Sequence, residues 1–230
     1  MSPKSHTSRS RLVVTIVALA SLAVAATAGA AVYVYSNGFG SHGAYKQIKQ
    51  IGAGKKACQE KYVGGSNKMS VTYKNKRFCS YKPPVEADSD QPDHEVIMTA
   101  KFKRNNATKR AQKAAYLAVR VRAGGASSYE LQVHPVKRTF VMLRNGQAAG
   151  LPGGETNAVK PLGKDNTLRL RSINSQVTAF VNGERVGNFV DPNPNQVTGR
   201  RVNFGPGFSQ DVPRGPIAFI GRVQVGVPNP

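Results

Sequence analysis

The sequence predicts an all-β fold, an antiparallel β-sandwich (jelly roll), preceded by one N-terminal transmembrane helix. An uncharged apolar run extends from Leu12 to Tyr35. From Met69 onward, short runs of alternating apolar and polar residues are separated by Gly, Pro and Asn, a pattern typical of antiparallel strands and turns. Helical periodicity is almost absent from that part, so we expect the folded domain to consist of sheets.

The apolar run 12–35 has the length of a membrane-spanning helix, which needs about 20 apolar residues. The basic residues that precede it are Lys4, Arg9 and Arg11. Because the next basic residue is Lys46, the positive-inside rule predicts a cytoplasmic tail at 1–11 and a domain outside the cytoplasm, at the cell membrane. A cleaved signal peptide is the alternative, since Ala28-Gly29-Ala30 has the form that signal peptidase accepts; the domain would then be secreted.

Residues 36–54 contain five glycines and few apolar residues, so we predict a flexible stalk there. The remaining segment, 55–230, is long enough for a single domain with its own core. Cys58 and Cys79 both lie in the exported part, where disulfides persist, and we expect them to be bonded. Two buried free thiols remain the alternative.

Two hairpins are predicted within the domain. In 117–122, Leu117 and the valines point to one face while Ala118, Arg120 and Arg122 point to the other, and 129–133 alternates in the same way after Gly124-Gly125. The second hairpin joins 177–181 to Arg185 and Val186 through Asn182-Gly183, the preferred pair for a type I′ turn. Further strands are predicted at 96–102, 168–171, 202–204 and 217–225.

Four segments resemble bacterial β-jelly-roll domains of the concanavalin A-like lectin/glucanase superfamily, including laminin-G-like modules and domains related to 3-keto-disaccharide hydrolases. They are YELQV at 129–133, FVMLRNGQ at 140–147, NTLRLRSINSQVTAFVNGERVGNF at 166–189 and IAFIGRVQV at 217–225. The resemblance covers about half of the chain and implies a jelly roll. Closing strands in such domains often read F-D-N, whereas this chain has Phe219-Ile220-Gly221, so the resemblance brings no acidic site to this strand.

Charge predicts the class of partner. The chain has 33 basic and 12 acidic residues, a net charge of +21, and removing the three basic residues of the tail leaves 30 against 12, or +18. Such a charge attracts anionic polymers or lipid headgroups. We expect an anionic polysaccharide or cell-wall polymer as partner, and not nucleic acid, because no nucleic-acid-binding motif is visible.

Four arginines are the candidate ligand-binding residues: Arg120, Arg122, Arg169 and Arg171. They occupy the polar faces of predicted strands, and if those strands are neighbours the guanidinium groups form a cationic stripe suited to carboxylate or phosphate. Ordinary solvent-facing arginines of a sheet are the alternative reading.

No catalytic residues, metal site or cofactor are predicted. The carboxylate motif of retaining glucanases, E-x-D-x-x-E, and the serine-hydrolase elbow G-x-S-x-G are both absent from the sequence. The acidic segment from Glu86 to Glu95 lacks the spacing of a calcium-binding EF-hand loop and is interpreted as a solvated turn.

The most specific expectation is a membrane-anchored, extracytoplasmic β-sandwich that binds carbohydrate or an anionic cell-envelope polymer. Two alternatives stay open. One is a carbohydrate-active enzyme resembling glycoside hydrolases, with an unrecognised carboxylate pair for which Glu130 and Glu155 are the candidates to test. The other is a structural or partner-binding ectodomain, which an exposed apolar patch would favour.

Overall fold

The computed structural model describes residues 31–51, 58–66, 68–73, 78–85, 93–103 and 107–228. The strands in these ranges are, in chain order, β1 (Ala31–Asn37), β2 (Lys49–Ile51), β3 (Cys58–Val63), β4 (Lys68–Tyr73), β5 (Ser80–Lys82), β6 (His94–Phe102), β7 (Ala115–Gly124), β8 (Ser127–His134), β9 (Thr139–Arg144), β10 (Gly153–Glu155), β11 (Asn166–Ile173), β12 (Gln176–Val181), β13 (Glu184–Val190), β14 (Arg201–Phe208) and β15 (Ala218–Pro228). The helices are α1 (His42–Lys46), α2 (Lys109–Ala114) and two single 3₁₀ turns, Gly64–Ser66 and Pro194–Gln196.

The strands form two antiparallel sheets. One sheet has eight strands in the order β13-β12-β11-β6-β15-β4-β3, with β1 paired beside the C-terminal half of β15. The other sheet has seven, in the order β10-β9-β8-β7-β14-β5-β2. The sheets pack face to face, with β6 and β11 of the first against β7 of the second. The predicted all-β antiparallel sandwich is therefore confirmed.

Alternation along the strands builds the core between the sheets. Val96, Met98 and Ala100 of β6 point inward from one side, and Leu117 and Val119 of β7 from the other, and all five are fully buried. Burying one such large aliphatic side chain contributes about 1.5–3 kcal/mol, so this two-sided row stabilises the packing of sheet on sheet.

Both predicted hairpins are present. Asn182 and Gly183 have φ angles of 52° and 88°, as a type I′ turn between β12 and β13 requires. In the β7–β8 hairpin the turn is one residue later than predicted, because Gly124 still pairs with Ser127. The extra residue is absorbed by a bulge before Gly124, where Arg122 has a φ of 49°.

Residues 31–51 belong to the sandwich, which corrects two predicted boundaries. Ala31–Tyr35, assigned to the end of the membrane anchor, form most of β1, and β2 lies within the predicted stalk 36–54. Asn37 is buried; its side chain donates a hydrogen bond to the Ala44 carbonyl (2.7 Å) and accepts one from the Phe39 amide (2.8 Å). Because these contacts and the pairing with β15 satisfy the backbone, the segment is folded where a stalk was expected.

The rest of the predicted anchor, 12–30, and the cytoplasmic tail 1–11 lie outside the described residues. Within the described ranges, no helix combines the length and the apolar composition needed to cross a bilayer.

The predicted disulfide is confirmed, with Cys58 and Cys79 bonded at an S–S distance of 2.02 Å. Cys58 begins β3 at one edge of the eight-stranded sheet. Cys79 precedes β5, and its amide donates to the Pro206 carbonyl of β14 in the other sheet (2.9 Å). The bond therefore ties the two sheets together near one edge of the sandwich.

Candidate functional site

The outer face of the seven-stranded sheet contains a cleft of about 500 Å³. Its floor consists of Arg120 of β7, Glu130 of β8, Asn203 of β14 and Ser80 of β5. Its walls are the β7–β8 turn at 124–127 and the turn at Asn145-Gly146 after β9. Since polar side chains from four adjacent strands converge there, this cleft is the candidate binding site.

Strand alternation brings these side chains together. Val119 and Val121 are buried in the core, so Arg120 between them points to the outer face. Arg120 lies directly opposite Glu130 on one side and Asn203 on the other. Three neighbouring strands therefore place an arginine, a carboxylate and a carboxamide in one row.

The Arg120–Glu130 pair is held firmly. Arg120 Nε donates to Glu130 Oε2 at 2.7 Å, and Gln132 Nε2 donates to Glu130 Oε1 at 2.9 Å. The Arg120 guanidinium also lies 4.0 Å from the centroid of the Phe78 ring. Because Glu130 is only 2% exposed and both its oxygens accept hydrogen bonds, it fixes the orientation of Arg120 and Gln132.

Two polar atoms of the cleft residues have no hydrogen-bond partner in the part of the chain that the structure describes. Asn203 Oδ1 and Ser80 Oγ are both buried and unpaired among the described residues. Leaving a buried polar atom unpaired costs about 1–3 kcal/mol, and native proteins seldom do so without a reason. Two such atoms on residues of one cleft are a pattern expected where a ligand completes the hydrogen bonding.

Farther along the same face, aromatic rings form a row. Tyr116 stacks with Phe78 at a centroid distance of 6.3 Å and contacts the ring of His134 at 5.4 Å. His134 is buried, its Nδ1 has no partner in the described part of the chain, and burial together with the nearby charge of Lys137 lowers its pKa to about 4. The imidazole is therefore neutral at physiological pH.

The four predicted arginines do not form a stripe. Arg120 and Arg122 lie on β7 of the seven-stranded sheet, whereas Arg169 and Arg171 lie on β11 of the eight-stranded sheet. The strands are not neighbours, so the premise of the stripe is not met, and of the four only Arg120 lines the cleft.

The other three arginines contact carboxylates at one end of the sandwich. The bulge turns Arg122 away from the outer face, and its Nη2 donates to Asp93 Oδ1 (2.9 Å) and to the Asn174 carbonyl (2.8 Å). Arg169 Nε donates to Glu95 Oε2 at 2.8 Å, and Arg171 Nε lies 4.0 Å from the same oxygen. Glu95 and Asp93, interpreted from sequence as part of a solvated turn, are thus ion-pair partners, and Glu95 is fully buried.

A buried carboxylate anchors the loop beside the cleft. Asp191 accepts hydrogen bonds from Tyr129 Oη (2.6 Å), Arg144 Nε (2.6 Å) and the Asn193 amide (2.8 Å). Burial raises the pKa of Asp191, but these hydrogen bonds outweigh it and hold that pKa below its usual value. Burial, and then the bond to Asp191, raise the pKa of Tyr129.

The two glutamates considered as a catalytic pair are far apart. Glu155 is exposed on β10 opposite Thr139, which pairs with His134, four residues along β8 from Glu130. At ordinary strand spacings this separates the two by about 16 Å, against about 5–9.5 Å for the carboxylates of glycosidases. In the described ranges, no group of three or more His, Cys, Asp or Glu side chains is placed to hold a metal ion.

Sequence reasoning found Arg120 but not its surroundings. A regular hairpin with the predicted turn at Gly124-Gly125 would have paired Arg120 with Tyr129. The later turn and the bulge together bring Glu130 opposite Arg120, so the sequence did not predict this pairing. Ser80 and Asn203 had no signal either, because they enter the cleft from strands far away in sequence.

No protein-family model and no curated protein matches this chain. Among solved structures, it is similar to a Bacillus subtilis protein of unknown function with a galectin-like fold, at 11% identity and a TM-score of 0.61, over 86% of this chain and 97% of that one. A non-specific endo-beta-1,3(4)-glucanase matches at 11% identity and a TM-score of 0.59, over 86% and 91%.

A carbohydrate-binding module from Bacillus subtilis also matches, at 12% identity and a TM-score of 0.51, over 78% of this chain and 95% of that one. At such identities the matches establish the fold alone. The expected concanavalin A-like sandwich is thereby supported at the level of architecture.

Proposed function

We propose that this chain is a carbohydrate-binding module of the cell envelope, that the cleft on the seven-stranded sheet is its binding site, and that residues 12–30 tether it to the membrane. The observation that carries the proposal is that Ser80 Oγ and Asn203 Oδ1, beside the fixed Arg120–Glu130–Gln132 network, have no hydrogen-bond partner among the described residues. Similar folds in a carbohydrate-binding module and a glucanase support it.

The chemistry of the cleft suits a sugar. Each sugar hydroxyl is both a donor and an acceptor, and the cleft offers guanidinium N–H groups, a carboxamide and a serine hydroxyl on three adjacent strands. A serine side chain occupies staggered rotamers, so a rotation about χ1 reorients Ser80 Oγ for a ligand. Fixed donors lose little conformational entropy on binding, which favours affinity.

The net charge of +21 adds a preference for acidic glycans. Because Glu130 already neutralises Arg120, this preference comes from the whole surface rather than from the cleft floor. An acidic cell-envelope polysaccharide combines both properties: hydroxyls for the cleft and negative charge for the surface.

The test replaces Ser80 by alanine and measures binding of the full chain to a panel of neutral and acidic envelope glycans. Ser80→Ala removes an oxygen that has no partner in the described fold, so thermal stability should not fall. Loss of one hydrogen bond to the ligand, about 1 kcal/mol, should weaken binding about five-fold.

Ser172→Ala is the matched control, because Ser172 Oγ is also buried and unpaired among the described residues but lies on β11 in the other sheet. It should leave glycan binding unchanged. Equal binding by Ser80→Ala and the unmodified chain, across every glycan that binds, would remove the cleft as the site.

A further inference from the structure

The exposed large apolar side chains of the described residues lie toward one end of the eight-stranded sheet, three on β1 and one on β13. They are Val32, Tyr33, Val34 and Val190, with exposed fractions of 57%, 46%, 49% and 64%, respectively. We refer to these four as the apolar end. Three of them, Val32, Tyr33 and Val34, are consecutive on β1, and an exposed apolar run of this kind, unlike a single exposed residue, indicates a surface that is covered by something else.

Strand register places the four residues at similar heights near that end, although β13 and β1 are five strands apart. One row of paired residues crosses the sheet and consists of Tyr33, Gly226, Glu95, Arg171, Thr178 and Asn188. Val190 lies two residues beyond Asn188 and Ala31 two residues before Tyr33, both on the same side of this row. Val190 and the start of β1 therefore sit at the same height, on opposite parts of one sheet.

The same end is where the chain connects to the apolar segment. Residues 12–30 are 19 in number and uncharged, and β1 begins at the next residue. A helix of that length spans about 28 Å, close to the roughly 30 Å hydrocarbon thickness of a bilayer. The segment remains long enough to cross the membrane after Ala31–Tyr35 are assigned to β1, and it leaves no linker.

We propose that the apolar end lies in the interfacial region of the lipid bilayer, so that the sandwich is docked against the membrane surface rather than held away from it. The proposal rests on the membrane tether of the proposed function. Val34 is the bulge residue of β1, without a partner on β15. The Tyr33 hydroxyl donates to Glu95 Oε1 (3.1 Å), which leaves the half-exposed ring as the part of Tyr33 that can contact lipid.

The acidic side chains described at this end carry no unpaired negative charge that would oppose the docking. Asp93 and Glu95 lie at the same end, and each is paired with an arginine. The contact is thus mainly apolar, and we expect it to persist on neutral lipid and at high salt.

The chain has no tryptophan, so a single introduced tryptophan reports its own surroundings. The full chains with Tyr33→Trp and Val34→Trp are reconstituted in phosphatidylcholine vesicles, with and without bromine on the acyl chains. We expect a blue-shifted emission for both and loss of emission in brominated vesicles. The control is Glu184→Trp, because Glu184 is exposed at the other end of β13, six residues or about 20 Å from Val190.

Emission at position 33 that is solvent-like and unquenched, in a chain that still sediments with the vesicles, would overturn the docking and leave the tether intact. A chain that does not sediment with vesicles would overturn both. A blue shift that grows with protein concentration and is insensitive to bromine would assign the apolar end to a second copy of the chain instead.

Discussion

His134 shows how a single buried residue can make stability depend on pH. Its ring is enclosed beside Tyr116, and the pKa in the folded chain is about 4, below the ordinary 6.5. The unfolded chain therefore binds a proton at a higher pH than the folded chain, and the free energy of unfolding should fall as pH decreases from about 6.5 to about 4. The full effect would be about 3 kcal/mol.

We predict that His134→Gln, which does not titrate, removes most of this slope. The measurement is urea unfolding of both chains between pH 7 and pH 4, at constant ionic strength. His42→Gln, at an exposed histidine of α1, is the control and should keep the slope. An unchanged slope in His134→Gln would assign the acid sensitivity to other groups.

At the same scale, sequence alternation predicts which way a side chain points only while the strand stays regular. Arg120 is on the outer face, as alternation requires. Arg122, two residues later, should share that face, but the bulge with its positive φ redirects the side chain to Asp93. The one extra residue of the bulge cannot be recognised from the hydrophobic pattern, and it is the reason why the predicted face is right for Arg120 and wrong for Arg122.

Among the structural elements, the disulfide has the clearest energetic role because it joins the two sheets. Cys58 and Cys79 are 21 residues apart, and closing a loop of that size stabilises the fold by about 3 kcal/mol in the chain-entropy estimate.

We predict that Cys58→Ser with Cys79→Ser lowers the free energy of unfolding by about that amount, with unchanged strand content by circular dichroism. Reduction of the unmodified chain with dithiothreitol should produce the same loss, and should not affect the double variant further. A double variant as stable as the oxidised chain would show that the edge strands hold the sheets together without the bond.

Strand β1 illustrates why the element boundaries near the N-terminus could not be derived from sequence. Ala31–Tyr35 continue the apolar run before them, and a continuous apolar run fits either a membrane helix or a buried strand. The distinction comes from the open edge of β15, nearly 200 residues away, which supplies the hydrogen bonds. By contrast, the β12–β13 hairpin was predictable because Asn182-Gly183 encodes its turn locally.

For the whole molecule, the acidic residues are few and several are enclosed. Glu95, Glu130 and Asp191 are each at most 2% exposed and paired with an arginine. With only 12 acidic residues against 33 basic ones, this leaves the exterior with little negative charge to offset its lysines and arginines.

We predict that binding to an acidic polysaccharide weakens steeply between low and high salt, since charges farther apart than about 10 Å are screened at 0.1 M. The measurement is binding of the full chain to alginate and to an uncharged glycan at both salt concentrations. Ser80→Ala should lower the salt-resistant part of binding and leave the salt-sensitive part. Acidic-glycan affinity independent of salt would contradict a contribution from the surface charge.

The pairing of β1 with β15 also limits how far the cleft could lie from a membrane to which the chain is tethered. Arg120 is four residues from the end of β7, about 13 Å along the strand, and Arg122 of the same strand is paired with Asp93, next to the start of β6 and at the end of the sandwich where β1 also begins. A flexible stalk of 19 residues would have let the cleft wander by about 25 Å. Residues 36–51 are folded into the sandwich, so a chain tethered and docked as proposed would hold the cleft within a thin layer above the lipid. It would then reach glycans rooted in the membrane but not those farther out, whatever their affinity.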